Sequence, residues 1–164
     1  MKRLNFGCGN DYREGWVNAD FYAKKVDLRF DFEKFPYPVK DGEFDYIFTS
    51  QVLEHLWHSD GAMIELHRML RPGGILEIIV PHYTTAGDHN FRHHSHFSTG
   101  AIKDFIKGNE AQNELMLQGT EPTFTLIKAT RKLRGLHFDV PGYIFDFVPV
   151  WDSIHWIVKK DAGI

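Results

Sequence analysis

Cysteine is almost missing from this sequence of 164 residues, which contains only Cys8. An intramolecular disulfide framework is therefore excluded, and a reducing compartment is expected. No apolar stretch approaches the roughly 20 residues that a membrane-spanning helix needs, and no signal-like segment follows Met1. These absences predict a soluble, cytoplasmic protein without a membrane partner. The Cys8 thiol is either a nucleophile or, as is commoner for buried thiols, a structural side chain.

Strong positive charge is also absent. The formal net charge is −3, and the only basic run covers residues 128–134. Binding to phosphate backbones needs a face of Lys and Arg, so no nucleic-acid partner is expected. A hydrophobic fraction of 43% with 25% charged residues is typical of a folded chain rather than a disordered one. The length fits one domain spanning residues 1–164, folded alone or as an oligomer.

Short apolar runs recur between polar turns, and several are continuous, as strands buried on both faces should be. They cover residues 3–6, 16–19, 26–30, 44–50, 75–80, 124–130 and 154–158. Helices are predicted over residues 61–70, with Ser59 and Asp60 as the cap, and from residue 98 or 99 to residue 107. Residues 135–150 are rich in Pro, Gly and aromatics and predict a packed loop at one sheet edge. This alternation predicts a three-layer α/β fold.

A glycine-rich turn, Gly7-Cys8-Gly9, follows the first apolar run, and Asp20 closes the second. Glycine lets the backbone approach a ligand closely, and a carboxylate after the next strand can accept hydrogen bonds from two ribose hydroxyls. The combination predicts a cofactor that contains a nucleoside. The alternative for the glycines alone is a tight turn in which they only supply a positive φ angle.

Four further segments occur in order along the chain. They are DFEKFPYP at residues 31–38, DGEFDYI at 41–47, VLEHL at 52–56 and LRPGGIL at 70–76. Together they resemble the class I S-adenosylmethionine-dependent methyltransferases, and within these the small type 11-like branch. The resemblance covers Leu4 to about Pro81. It implies a Rossmann-like, doubly wound and mostly parallel sheet of seven strands with an antiparallel final hairpin, and S-adenosylmethionine as the cofactor.

The resemblance also implies roles for particular residues. The glycine turn would lie against the methionine part of the cofactor, Asp20 would hold the ribose, and Asp31 with the Phe32 N–H would meet the adenine. Ser50, Gln51 and Val52, just past the strand predicted from residue 44 to residue 49, would flank the cofactor. The full set of implied cofactor contacts is Phe6, Gly7, Cys8, Gly9, Asp20, Phe21, Asp31, Phe32, Ser50, Gln51 and Val52. The alternatives are that Asp20 and Asp31 are solvated acids at strand ends, and that Glu54 and His55 only begin a helix.

Two departures from the family pattern concern the amino-terminal helices. The stretch between Phe6 and Val17 is shorter than a normal parallel crossover, so the first helix must be reduced or replaced by the loop at residues 10–15. The sequence also begins almost at its first strand. Both features predict a cofactor cleft that is open, or that is covered by a second copy of the chain or by a partner subunit.

Half of the 10 histidines lie between Pro81 and Ser98: His82, His89, His93, His94 and His96. A histidine suits the removal of a proton from a methyl acceptor because its pKa lies near neutrality. His82 is the first candidate for that base because it follows a predicted strand, and Tyr83 and His89 come next. Two alternatives are a metal site, in which His93 and His96 join His82 or His89 and Asp88, and a loop whose histidines only pack.

Methyl transfer from a sulfonium is an in-line displacement, in which the protein mainly aligns donor and acceptor. The predicted function is therefore methyl transfer to a small-molecule acceptor that lies under residues 81–97 and 135–151. An alternative is a partner or regulatory subunit that binds the cofactor without catalysis. A metalloprotein built on the histidines is a third hypothesis, and no metal ligand is assigned.

Overall fold

A computed structural model describes residues 1–107, 123–133, 136–139 and 153–162 of the chain. Its helices are α1 (Ser59–Met69) and α2 (Ala101–Lys107), with a 3-10 turn at Leu53–His55. Its strands are β1 (Arg3–Phe6), β2 (Val17–Ala19), β3 (Phe44–Ser50), β4 (Leu70–Pro81), β5 (Phe124–Leu133), β6 (Leu136–Asp139) and β7 (Ser153–Lys160). None of the helices in these described ranges has the length and apolar character needed to cross a bilayer.

The strands form one sheet in the order β2-β1-β3-β4-β7-β5-β6. The first four strands in this order pair in parallel. Strand β7 lies antiparallel between β4 and β5, and β6 pairs antiparallel with β5. Strands β1 to β5 therefore all run in the same direction. The predicted α/β class with a mostly parallel sheet is confirmed.

The core lies between one face of the sheet and the two helices. Alternation along β4 places Leu76, Ile78 and Val80 on this face, where all three are fully buried. From α1, the side chains of Ala62, Met63, Leu66 and Met69 are buried at helical spacing. Helix α1 ends because Leu70 takes an extended conformation and enters β4 directly. The predicted cap is wrong in detail, since the helix begins at Ser59 and no side chain caps it.

The strand predicted at residues 26–30 is wrong. Only Leu28 makes an isolated bridge, to Ala19. The reason is local, because the backbone N–H groups of Asp27 and Leu28 both donate to the Asn18 carbonyl, and the Asp27 carboxylate accepts the Asn18 N–H. These bonds fold the segment back on β2. The seventh strand is instead β6, inside the predicted loop at residues 135–150, of which the other residues lie outside the described ranges.

The opposite face of the sheet has no helix among the described residues. Both α1 and α2 lie on the core face, where Met63 and Phe105 line one cavity of about 170 Å³ with Ile78 and Trp156. The loop predicted at residues 10–15 is present, and it packs on the opposite face. There the Arg13 guanidinium lies 3.9 Å above the Phe48 ring. The described residues therefore form two layers, and the predicted third layer is reduced to this loop.

His67 on α1 makes the stability of the fold depend on pH. Burial, with the nearby Lys160 charge, lowers its pKa to about 4, and its Nε2 lies 3.2 Å from the Thr123 carbonyl oxygen. An unfolded chain binds this proton below about pH 6.5, whereas the folded chain does not until about pH 4. Stability contributed by neutral His67 is therefore present above about pH 6.5 and is lost as the pH falls toward 4.

We expect His67→Gln to flatten the fall in the free energy of unfolding between pH 7 and pH 5. Glutamine keeps a donor for the Thr123 carbonyl but has no proton to gain. Urea denaturation at several pH values measures the slope. His89→Gln, which removes an exposed histidine, keeps the slope of the natural chain. Equal slopes for all three proteins would contradict the assignment to His67.

Candidate cofactor site

A large cavity opens where the carboxyl ends of β1, β2 and β3 meet. Parallel strands bring their following loops to one edge of the sheet, which is where ligands bind in open α/β folds. The cavity has a volume of about 790 Å³, within the range of about 300–1,000 Å³ that is usual for small-ligand sites. Its walls are Gly7, Gly9, Asp20, Phe21, Tyr22, Asp31, Phe32, Glu33, Gln51, Val52, His55, Leu56, Trp57, Arg92 and His94.

The turn after β1 brings bare backbone to this cavity. The N–H groups of Gly7 and Cys8 both donate to the Ala19 carbonyl, at 2.8 and 3.0 Å, which ties the turn to the end of β2. Gly7 has a φ angle of +75°, in the left-handed region that favours glycine. A Cβ at this position would overlap the Val52 methyl groups. Close packing of Gly7 on Val52 therefore leaves no room for a side chain.

Asp20, the residue after β2, joins two loops through its carboxylate. Oδ2 accepts the Gly9 N–H at 2.9 Å, while Oδ1 accepts the N–H groups of Tyr22 and Ala23 at 2.7 and 2.8 Å. A carboxylate offers about four acceptor positions, so three are used here and one, on Oδ2, stays available. The same residue thus shapes the glycine turn and presents an acceptor beside it.

Asp31 and Phe32 form the next wall. Asp31 Oδ1 accepts the Glu33 N–H at 3.0 Å, and Oδ2 lies 3.5 Å from the Lys34 ammonium. The Phe32 ring stacks on Phe6 with ring centres 3.9 Å apart. Tyr37 supports this wall from below by donating its hydroxyl to the Phe32 carbonyl at 2.9 Å. Burial raises the pKa of Tyr37, so its hydroxyl stays protonated and keeps donating.

Comparison with known proteins agrees with this geometry. A family model described as a methyltransferase domain matches residues 8–78. A probable S-adenosylmethionine-dependent methyltransferase of Mycolicibacterium smegmatis is 36% identical over 80 residues, which are 47% of this chain and 30% of that protein. The chain has the sequence motifs and the fold of the class I S-adenosylmethionine-dependent methyltransferases. It spans about a third of the length of this curated relative.

Solved structures support the methyltransferase fold over the whole chain. A putative S-adenosylmethionine-dependent methyltransferase of Listeria monocytogenes has a TM-score of 0.60 at 10% identity, over 98% of this chain and 90% of its own. A putative methyltransferase of Haloferax volcanii, solved in complex with the Trm112 methyltransferase activator, has a TM-score of 0.58 at 14% identity, over 99% and 83%. At such low identity these likenesses establish the fold alone.

Most of the predicted cofactor residues line the cavity of this methyltransferase fold. They are Gly7, Gly9, Asp20, Phe21, Asp31, Phe32, Gln51 and Val52. The structure does not bring the other three to the cavity wall. Phe6 lies under Phe32 in the core, Cys8 is buried, and Ser50 ends β3 beside the wall. Burial, reinforced by Asp20, raises the pKa of the Cys8 thiol, which favours the structural role over the nucleophile.

The three candidates for a catalytic base do not reach the cavity. His82 is fully buried, with its Nδ1 2.8 Å from the Thr84 hydroxyl, because its backbone pairs with Phe97 and continues the sheet. The Tyr83 N–H donates to the same Phe97 at 2.9 Å, and His89 is exposed. None of these three is part of the cavity wall. His82 therefore follows a strand directly without being part of the cavity wall.

Two other histidines, His55 and His94, line the cavity. His94 arrives there because its N–H and that of Ser95 donate to the Glu54 carbonyl at 2.7 and 3.2 Å, which folds the loop at residues 88–96 onto the 3-10 turn. The exposed Trp57 ring stacks on the His94 imidazole with centres 3.5 Å apart. The L-E-H segment is the sequence signal for this wall, since it forms the 3-10 turn that carries His55 and receives the loop of His94.

Gln51 adds a second unusual backbone position to the wall. Its φ angle is +56°, which is uncommon for a residue other than glycine. Its N–H donates to the Ile79 carbonyl at 2.8 Å, so pairing with β4 holds the chain in this conformation. Backbone strain of this kind concentrates at ligand sites. Gln51 turns the chain from β3 toward Val52 and the glycine turn.

Proposed function

We propose that this chain transfers the methyl group of S-adenosylmethionine to a small-molecule acceptor by in-line displacement. One observation carries the proposal: Asp20, directly after β2, and Asp31, in the loop that follows it, line a single cavity together with the glycine turn. A ribose held by the first acid and an adenine held by the second would lie across the sheet edge. The methionine part would then run along Gly7 and Gly9.

Another part of the cavity wall suits an acceptor. It carries His55, Trp57, Arg92 and His94, which combine flat rings with polar tips. Such a wall fits a small planar or polar molecule better than a long aliphatic one. His94 is our candidate for the residue that receives a proton from the acceptor, since its imidazole lines the cavity and its ring is fixed by Trp57.

Trp57 provides a direct measurement of cofactor binding. Because its indole is 71% exposed and lines the cavity, we expect S-adenosylhomocysteine to produce a saturable change in tryptophan fluorescence. Trp57→Phe abolishes the change without abolishing binding measured by calorimetry. Trp16→Phe is the control and keeps the change, because Trp16 packs edge-on against Tyr46 on the opposite face of the sheet. Calorimetric binding with an unchanged signal in the natural chain would place the nucleoside elsewhere.

Turnover tests the transfer itself. The chain is incubated with S-adenosylmethionine and a broad panel of small hydroxyl, amine and thiol acceptors, and S-adenosylhomocysteine is measured. We expect at least one acceptor to be methylated, with a rate that falls in His94→Ala. General-base contributions are typically about 10²–10⁴-fold. Binding of the cofactor without turnover of any acceptor would instead favour a non-catalytic subunit.

A covering partner is the second candidate, favoured by three exposed aromatic side chains of the cavity wall, Phe21, Tyr22 and Trp57. The Haloferax volcanii neighbour, which shares the fold, was solved with an activator protein. We propose that a second copy or a partner subunit covers the cleft of this chain when cofactor is bound. Light scattering with and without S-adenosylhomocysteine tests the second copy, and a mass that stays monomeric in both states would exclude self-association.

A further inference from the structure

Beside the cofactor cavity, three side chains from two loops converge in a way that methyl transfer does not require. They are Glu54 and His55 of the 3-10 turn and His93 of the loop folded onto it. One potential ligand atom from each lies within 4.8 Å of those of the other two. In a four-coordinate zinc site, ligand atoms about 2.0–2.2 Å from the metal lie about 3.4 Å from one another. A small inward movement of these three side chains would therefore bring their ligand atoms to coordination distance.

The Glu54 carboxylate is unpartnered and fully buried. Neither of its oxygens makes a hydrogen bond of acceptable geometry with any described residue, although the residue has no exposed surface. Asp88 is also fully buried; its Oδ2 lies beside His96, whereas its Oδ1 has no hydrogen-bond partner among the described residues. A buried carboxylate without partners, such as that of Glu54, costs several kcal/mol unless a cation compensates it.

Both histidines are held in the orientation that metal ligands adopt. The Nδ1 atom of His55 lies 3.1 Å from the Arg92 carbonyl oxygen, and that of His93 lies 3.0 Å from the Asp88 carbonyl oxygen. A neutral imidazole that donates from Nδ1 carries its lone pair on Nε2. Backbone carbonyls that fix the tautomer in this way are the usual outer partners of metal-bound histidines. Their rings meet edge to face, with centres 4.6 Å apart.

We propose that Glu54, His55 and His93 form a binding site for a divalent transition metal. Two imidazoles and one carboxylate are the ligand set of catalytic zinc sites and of non-haem iron(II) sites, which keep further positions open. The cation would neutralise the buried Glu54 charge and offset the Asp88 charge behind it. His96, whose Nδ1 lies 2.6 Å from Asp88 Oδ2, supports that carboxylate from the outside.

The position of His55 in the cavity wall suggests that the metal acts on the methyl acceptor. His55 also lines the cofactor cavity, so an open coordination position would face the end where an acceptor would bind. A metal there would lower the pKa of an acceptor hydroxyl or thiol and orient it. This role rests on the proposed methyl transfer, whereas the metal site itself does not.

The test uses the full chain without a histidine tag, dialysed against chelator and then titrated with Zn²⁺ and Co²⁺. We expect one equivalent of metal per chain, with affinity at least 10-fold weaker in Glu54→Gln, His55→Ala and His93→Ala. His89→Ala is the matched control, because this exposed histidine lies in the same loop, and it keeps full affinity. Zinc X-ray absorption of the natural chain should show imidazole ligands at about 2.0–2.1 Å.

Two results would overturn the site. One is that the natural chain binds no metal at about 0.1 mM Zn²⁺, which means a dissociation constant above that level. The other is an absorption spectrum without imidazole. Loss of metal in His89→Ala would overturn the ligand assignment. The absorption spectrum needs no variant, so a variant that fails to fold leaves the proposal testable. Binding of S-adenosylhomocysteine is measured on the same samples. Cofactor binding without metal refutes this proposal alone, and metal without cofactor binding refutes the proposed function alone.

Discussion

Replacing Gly7 with alanine is expected to abolish measurable binding of S-adenosylhomocysteine and to destabilise the fold by about 2–4 kcal/mol. Two costs combine at this position. The φ angle of +75° disfavours any residue with a Cβ by about 1–2 kcal/mol, and the new methyl group would overlap Val52. Relief of the overlap must move the glycine turn or Val52, and both line the cavity. Calorimetry measures the affinity, and urea denaturation measures the stability.

Gly15→Ala separates the two costs. Gly15 has almost the same φ angle, +76°, but a Cβ there would meet no atom within 4 Å, and the residue is not part of the cavity wall. We expect it to lose about 1–2 kcal/mol of stability and to keep cofactor affinity. The double variant Gly7→Ala with Val52→Ala should recover part of the lost stability. If Gly7→Ala and Gly15→Ala behave alike, close packing on Val52 does not govern the site.

The second large effect is expected for Asp20→Ala, which should weaken S-adenosylhomocysteine binding about 100-fold or more. Hydrogen bonds to a charged group contribute about 1.5–3 kcal/mol each, and this carboxylate both anchors the Gly9 N–H and faces the cavity. Asp20→Asn should have a smaller effect, because the amide keeps one acceptor oxygen. Calorimetry at fixed pH and salt gives the affinities of all three proteins.

A ligand lacking one ribose hydroxyl distinguishes a direct contact from a role in shaping the turn. If Asp20 holds the ribose, a deoxy analogue of S-adenosylhomocysteine loses affinity for the natural chain but loses much less for Asp20→Asn. If the carboxylate only anchors Gly9, Tyr22 and Ala23, deletion of the hydroxyl weakens binding to both proteins by the same factor. If removal of either ribose hydroxyl weakens binding to the natural chain and to Asp20→Asn equally, Asp20 does not contact the ribose.

Elements with a strong local pattern could be predicted from the sequence. Strand β3 was predicted with its observed bounds, because it is an apolar run between clear turns. Strand β4 begins earlier than predicted, at Leu70, because Leu70 pairs with Phe44 across an irregularity in the register. The strand expected at residues 26–30 failed because its N–H groups are used by Asn18, a contact that hydropathy does not encode.

The site residues, too, divide into those that a local pattern predicts and those that depend on contacts distant in sequence. Gly7 and Asp20 could be found because each directly follows a short strand, and parallel strands bring such positions together. Asp31 reaches the same cavity although the run before it is not a strand, because that run is held against β2 by Asn18. The histidine wall could not be found, because His94 reaches the cavity only when its loop folds onto Glu54, forty residues earlier in the chain. His82 lies directly after β4, yet its backbone pairing with Phe97 buries its ring. The position of a histidine in the sequence therefore does not tell whether its side chain lines the cavity or is buried.

A crystal structure with S-adenosylhomocysteine bound would show directly whether Asp20 and Asp31 hold a nucleoside. We expect the nucleoside inside the cavity, between these two acids. A ribose hydroxyl should lie about 3 Å from Asp20 Oδ2, and the adenine amino group should lie about as close to Asp31. A nucleoside bound outside this cavity, or one whose sugar and base both face away from these carboxylates, would contradict the account.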